Sequence, residues 1–150
     1  MENRIEKQTQ IDAPVSRVWR ALTDAAEFGE WFRVKLDGPF VVGQSVRGQI
    51  TYPKYEHLRI DMTVKAMTPE TYFAYTWHPY PMDPSVDYTL ETPTLVEFRL
   101  ADVAGGTSLT VVESGFEHIP SARRDEAFRS NSSGWAGQME NIKAYVTSHS

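Results

Sequence analysis

A chain of 150 residues and 17.1 kDa that contains no cysteine has no disulfides, thiolate catalysis or cysteine-ligated metal. Its length fits one domain, which on folding buries roughly 70% of the extended-chain surface. A net charge of −5 and a pI of about 5.3 would repel phosphate backbones, so no nucleic acid is expected as partner; no window approaches the roughly 18 uncharged apolar residues of a membrane span, so no integral membrane association is expected either.

The first residues, Met1 to Lys7, interleave acids with bases and lack the apolar core of a secretion signal. With the missing cysteines this points to the cytoplasm. Arg4–Ile11 reads as a first strand, and Asp12-Ala13-Pro14 as a helix start, with a polar residue near the cap and proline in the first turn. Val15, Val18, Trp19 and Leu22 follow at helical spacing and form one apolar stripe. Asp24 and Glu27 stand at capping-box spacing, so a second short helix is expected over Ala25–Glu30.

Period-two alternation then takes over. Leu58, Ile60, Met62 and Val64 alternate with polar residues, and Phe73, Tyr75 and Trp77, then Val96, Phe98 and Leu100, then Leu109 and Val111 each share a face. Those faces should line one concavity. Thr68-Pro69-Glu70 and Gly105-Gly106 read as hairpin connections, Gly43 to Gly48 as a turn between strands, and the proline-rich His78 to Pro84 as a loop at the sheet rim. Ser121 can cap a final long helix reaching Val146, whose stripe is Phe128, Trp135, Met139, Ile142 and Val146. Gly134 and Gly137 inside it suggest a close approach or a bend, and Arg123, Arg124 and Arg129 a solvated basic face.

A curved antiparallel sheet facing one late helix suggests a container for a small molecule. At about 24 cal/mol per Å³, a void of roughly 300 Å³ would cost around 7 kcal/mol. That rivals the whole stability of a domain, so a large pocket must be hydrated, ligand-filled or closed by aromatic side chains.

The runs Ile11-Asp12-Ala13-Pro14, Val18 to Asp24, Trp31-Phe32, Tyr75-Thr76-Trp77, Thr107 to Thr110, Glu113 to Phe116 and Gly134-Trp135 resemble the START-like (SRPBCC) superfamily. Within it they are most similar to the branch named for the activator of heat-shock-protein-90 ATPase homologue. The resemblance implies an α+β helix-grip fold: a seven-stranded curved antiparallel sheet around a long C-terminal helix, with two short helices between the first and second strands. It also implies a cavity for lipids, polyketides or other apolar molecules, where some members catalyse cyclisation or dehydration. A chaperone partner is possible on that likeness, though nothing in the chain resembles the separate chaperone-binding domain of the protein that names the branch.

The candidate ligand-binding residues are Trp31, Phe32, Tyr75, Trp77, Phe98, Glu113, Phe116, Phe128, Trp135 and Met139, an apolar and aromatic set with a few polar handles. Counting by twos along Thr107, Leu109, Val111 and Glu113 puts the Glu113 carboxylate on the apolar side. There it is a candidate general base, for a cyclase or dehydratase reaction, or a hydrogen-bond anchor. His57, His78, His118 and His149 show no metal-ligand spacing, and Gly43 to Gly48 lacks the Lys and Ser/Thr of a phosphate loop, so no metal and no cofactor are expected. The expected partner is a small apolar or aromatic molecule, bound by a monomer or homodimer.

Overall fold

The computed structural model describes residues 4–79 and 85–149. Strand β1 (Arg4–Ile11) leads into helices α1 (Val15–Thr23) and α2 (Ala25–Phe32), after which β2 (Val34–Leu36), β3 (Ser45–Ile50), β4 (Arg59–Thr68), β5 (Tyr72–Trp77), β6 (Thr94–Val103) and β7 (Gly106–Ser114) precede α3 (Ser121–Ser148). Single 3-10 turns occur at Tyr88–Leu90 and Phe116–His118. All pairings are antiparallel, in the order β1-β7-β6-β5-β4-β3-β2. β7 pairs with β1 because α1 and α2 carry the chain across to the far edge before the meander returns. The architecture is the helix-grip fold.

The alternation expected in the strands is the alternation of burial. Thr94, Val96, Phe98 and Leu100 on β6, and Phe73, Tyr75 and Trp77 on β5, are buried. Register places Val64, Tyr75, Val96, Glu113 and Ile5 in one row across β4, β5, β6, β7 and β1. All five are buried, so Tyr75 and Glu113 are polar members of an otherwise apolar line. A bulge between Val64 and Ala66 lets β4 bend beside β5. On α3 the residues Ala127, Trp135, Met139, Ile142 and Val146 are buried and Phe128 is half-buried, which gives the helix one face against the sheet.

Several local readings need correction. Gly43 to Gly48 is a turn only at its start, because Ser45–Ile50 is strand β3. Gly48 lies inside that strand, where a Cβ would come within 2.7 Å of a Val34 methyl and 2.9 Å of a Leu36 methyl, so β2 packs where a side chain would have stood. Ser121 does not cap α3 and Asp12 does not cap α1. Pro120 and Pro14 hold the N-cap positions in extended backbone, and their carbonyls accept from Arg123 and Arg124, and from Arg17 and Val18. Gly134 and Gly137 make no close approach, since a Cβ on either would meet nothing within 4 Å. The loop expected at 78–84 lies outside the described residues from 80 onward.

Candidate functional site

The space between sheet and α3 is closed mainly by rings. Trp135 on α3 lies over Phe98 with centroids 5.6 Å apart, beside Trp77 at 5.7 Å and Phe32 at 6.2 Å. Behind them Tyr75 meets Trp77 edge-on at 5.4 Å, and Phe73 stacks on Phe98. Of the three ways to avoid an empty void, the chain uses aromatic closure where these rings meet. Among the described residues a cleft of about 180 Å³ stays open between α2, the end of β5 and α3, lined by Phe32, Trp77, Ser130, Asn131, Gly134, Trp135 and Gln138. It has room for about six waters at their liquid volume. A larger depression of about 620 Å³ lies outside this space, between α2 and edge strand β2. Its walls set Ala25, Ala26, Val34 and Leu36 beside the charged Glu30, Lys35 and Asp37, and hold no aromatic ring to stack on a flat ligand.

Glu113 sits under the cleft wall, fully buried, where β7 carries its side chain inward. Its Oε2 accepts from Trp77 Nε1 at 2.7 Å and Thr94 Oγ1 at 2.5 Å; its Oε1 accepts from Trp135 Nε1 at 2.8 Å and Asn131 Nδ2 at 2.9 Å. Two bonds to each oxygen use the roughly four lone-pair sites of a carboxylate. Burial pushes the Glu113 carboxyl above its ordinary value, while the bonds from Thr94, Trp77, Asn131 and Trp135 pull it back without cancelling the burial. One side chain thereby ties β5, β6 and β7 to α3 and orients two indoles that wall the cleft. Tyr75 has no such tie: its hydroxyl is buried and makes no hydrogen bond among the described residues.

The structure therefore brings Phe32, Trp77, Trp135 and Glu113 to one place, with Tyr75 and Phe98 directly behind. It does not bring the other candidates there. Trp31 is part of the helical pair, where its indole N–H donates to the Ala21 carbonyl at 2.8 Å and its ring packs on Phe28. Phe116 and Phe128 pair with each other at 5.2 Å, and Met139 is buried on α3 without lining the cleft. Thr94, Asn131, Ser130 and Gln138 were not among the candidates. Asn131 stands four residues before Trp135, one helical turn away on the same face, and Thr94 precedes Val96 by two on the inward side of β6. Both spacings are visible in the sequence once Glu113 is known to need donors.

The basic cluster divides. Arg123 packs against Glu91, with Nη2 at 2.6 Å from its Oε1, and lies over the Tyr88 ring, while Arg124 donates to the Ile119 and Glu117 carbonyls. Arg123 is thus a strap between the β5–β6 connection and the first turn of α3, Arg124 holds the turn before the helix, and only Arg129 stands exposed as the solvated face expected. Among the described residues no group of three or more His, Asp or Glu stands close enough to hold a metal, and no helix is long and apolar enough to cross a membrane.

No curated protein sequence matches the chain. Among solved structures, protein MLL2253 from Mesorhizobium loti is 25% identical with a TM-score of 0.77, over 98% of each chain. The Aha1 dimer from Colwellia psychrerythraea is 16% identical with a TM-score of 0.73, over 95% of each chain. DynU16, from the dynemicin biosynthetic locus, is 22% identical with a TM-score of 0.75; it is covered over 48% of its own length and covers 98% of this chain, which spans about half of it. The last two likenesses speak for the fold alone. Residues 12–147 match the family described as Activator of Hsp90 ATPase homolog 1-like protein, and the chain belongs to that family, within the START-like (SRPBCC) superfamily.

Proposed function

We propose that the protein binds a small apolar or aromatic molecule, without a cofactor, in the cleft walled by Phe32, Trp77 and Trp135. The observation that carries this reading is the opening itself. It is the place where the aromatic layer between sheet and helix reaches the surface, and Asn131, Gln138 and Ser130 stand at its rim. Apolar walls with a few polar groups at the edge suit a flat ligand with one polar end. Engineered cavities of about 150 Å³ take up benzene, so a volume of about 180 Å³ is in the range of a single ring with a few substituent atoms.

The saturated carboxylate favours binding over proton transfer. A general base needs a lone pair within reach of the substrate proton, and each oxygen of Glu113 already accepts two bonds from protein donors. Glu113 then acts as an anchor that holds the walls.

Native mass spectrometry of freshly purified protein tests the reading. Wild type should carry a small bound species that is missing from Gly134→Leu, because the new side chain grows from an open position into the cleft. Bare masses for both proteins, together with indole signals of Trp77 and Trp135 that ignore added single-ring aromatics, would rule it out.

A further inference from the structure

Glu113 and Tyr75 lie in the same inward row, on β7 and β5, separated by Val96 on β6. The carboxylate has every lone pair engaged, whereas the hydroxyl has no hydrogen-bond partner among the described residues. A buried hydroxyl without a partner costs about 1–3 kcal/mol, so native folds rarely keep one unless something else satisfies it. The ring neighbours of Tyr75, which are Phe73, Trp77 and Phe98, carry no acceptor. Burial, and then the Glu113 charge, push its pKa well above 10, which keeps the proton on the oxygen as a donor.

The Tyr75 ring packs against a wall of the cleft, which supplies the second half of the argument. Trp77 and Trp135 line the cleft with ring centroids 5.7 Å apart and planes 32° from parallel, and Tyr75 is the ring beneath Trp77. Carbon contacts of about 3.5–4.0 Å on each side let a flat ring slip between the indoles once they part by about 2 Å. Both indoles are tethered through Nε1 to opposite oxygens of Glu113, so they can hinge on those bonds without surrendering them.

Resting on the binding function proposed above, we infer that Tyr75 is the specificity-determining anchor of the site, donating its hydrogen bond to an acceptor oxygen on a neutral aromatic ligand. A carbonyl or ether oxygen on a ring would satisfy the orphan donor. An anionic ligand would bring a second negative charge into the same desolvated space as Glu113, so carboxylates and phosphates are disfavoured.

Acetophenone and ethylbenzene, which share a shape and differ in the carbonyl, separate the possibilities when titrated into the labelled protein while the indole N–H signals of Trp77 and Trp135 are followed by NMR. Both compounds should move both signals in wild type. In Tyr75→Phe, acetophenone should weaken by about tenfold, the cost of burying an unpaired carbonyl, while ethylbenzene should hold its affinity. The same variant should melt no lower than wild type, because it removes a donor that has no partner in the free protein.

Equal changes for the two compounds would overturn the role of Tyr75 and leave the binding function standing. A clear fall in the melting temperature of Tyr75→Phe would also overturn it, by revealing a partner for the hydroxyl within the fold. Wild-type indole signals that respond to neither compound would remove the binding function and this inference together.

Discussion

Trp77 and Trp135, from the end of the central strand β5 and the middle of α3, donate their indole N–H groups to the two different oxygens of a single buried carboxylate. Trp135, with Asn131, joins α3 to the sheet through that carboxylate, while Trp77 bonds it from within the sheet, and each N–H···O bond pins one point of its indole. Burying a charge is costly unless it is fully hydrogen-bonded, and here four donors converge on it.

Replacing that carboxylate by an amide should therefore be expensive even though the shape is kept. In Glu113→Gln the amide nitrogen must face two former donors. Thr94 can turn its hydroxyl to accept and Asn131 can present its own oxygen, but an indole can only donate. Whichever way the amide lies, one of Trp77 or Trp135 is left without an acceptor. We expect a loss of about 2 kcal/mol in chemical denaturation and a displaced signal for one indole N–H but not both. An unchanged denaturation midpoint would show that the four bonds contribute nothing net.

The same pair of proteins predicts a pH dependence. Burial holds the Glu113 carboxyl above its ordinary 4.5 in the folded chain, despite the opposing hydrogen bonds. Between that ordinary value and the raised one the folded state binds more protons than the unfolded state, so the contribution of Glu113 to stability falls as pH rises through the interval and is level above it. Of the four partners, Thr94 and Asn131 can accept the proton of the neutral acid, whereas the two indoles can only donate. The stability deficit of Glu113→Gln should accordingly be largest in mild acid and should narrow as pH rises through the window. A deficit that widens instead would place the folded carboxyl below 4.5.

The glycines of α3 separate helix propensity from the cleft. A methyl at Gly137 or at Gly134 meets no neighbouring atom, so Gly137→Ala and Gly134→Ala should each stabilise the protein by up to about 1 kcal/mol. Their effects on ligands should differ. Gly134 borders the cleft and Gly137 does not, so only the first should alter binding of single-ring aromatics to the native protein. Thermal melts and the indole titration, run on both variants, check this.

How far the sequence carries this site depends on which interactions are periodic. Burial on β5, β6 and α3 was legible because each element repeats its apolar residues at its own period, and Tyr75, Trp77 and Trp135 fall on the inward face as counted. Glu113 was legible as an inward carboxylate by the same count. Its satisfaction was not, because its four donors come from β5, β6 and α3, and only tertiary packing brings them together. Strand β2 has three residues and so too little alternation to register, and β3 was hidden by a glycine that reads as a turn until β2 is seen to occupy its side-chain space. Trp31 and Phe116 look like ligand contacts by residue type, yet the helical pair and the turn at Phe116–His118 consume them as local packing.

Glu27 shows how a local signal can be half right. Asp24 does accept from the Glu27 amide at 3.0 Å, as a capping box requires, but the Glu27 carboxylate turns away from Asp24. It binds Arg17 Nη1 at 2.8 Å and Arg20 Nε at 2.9 Å and accepts from the Tyr145 hydroxyl at 3.1 Å, joining α1 and α2 to the end of α3. Arg17 is the sensitive partner, with only 9% of its side chain exposed, against 59% for Arg20. Glu27→Ala leaves that guanidinium buried with its Nε bond to the His149 carbonyl and no counter-charge, which should cost about 3 kcal/mol. The double variant Arg17→Met with Glu27→Leu should regain most of the loss, since it removes the stranded charge and keeps apolar volume between the helices. Denaturation of the two variants distinguishes this from simple lost packing, which would make the double change worse than the single one.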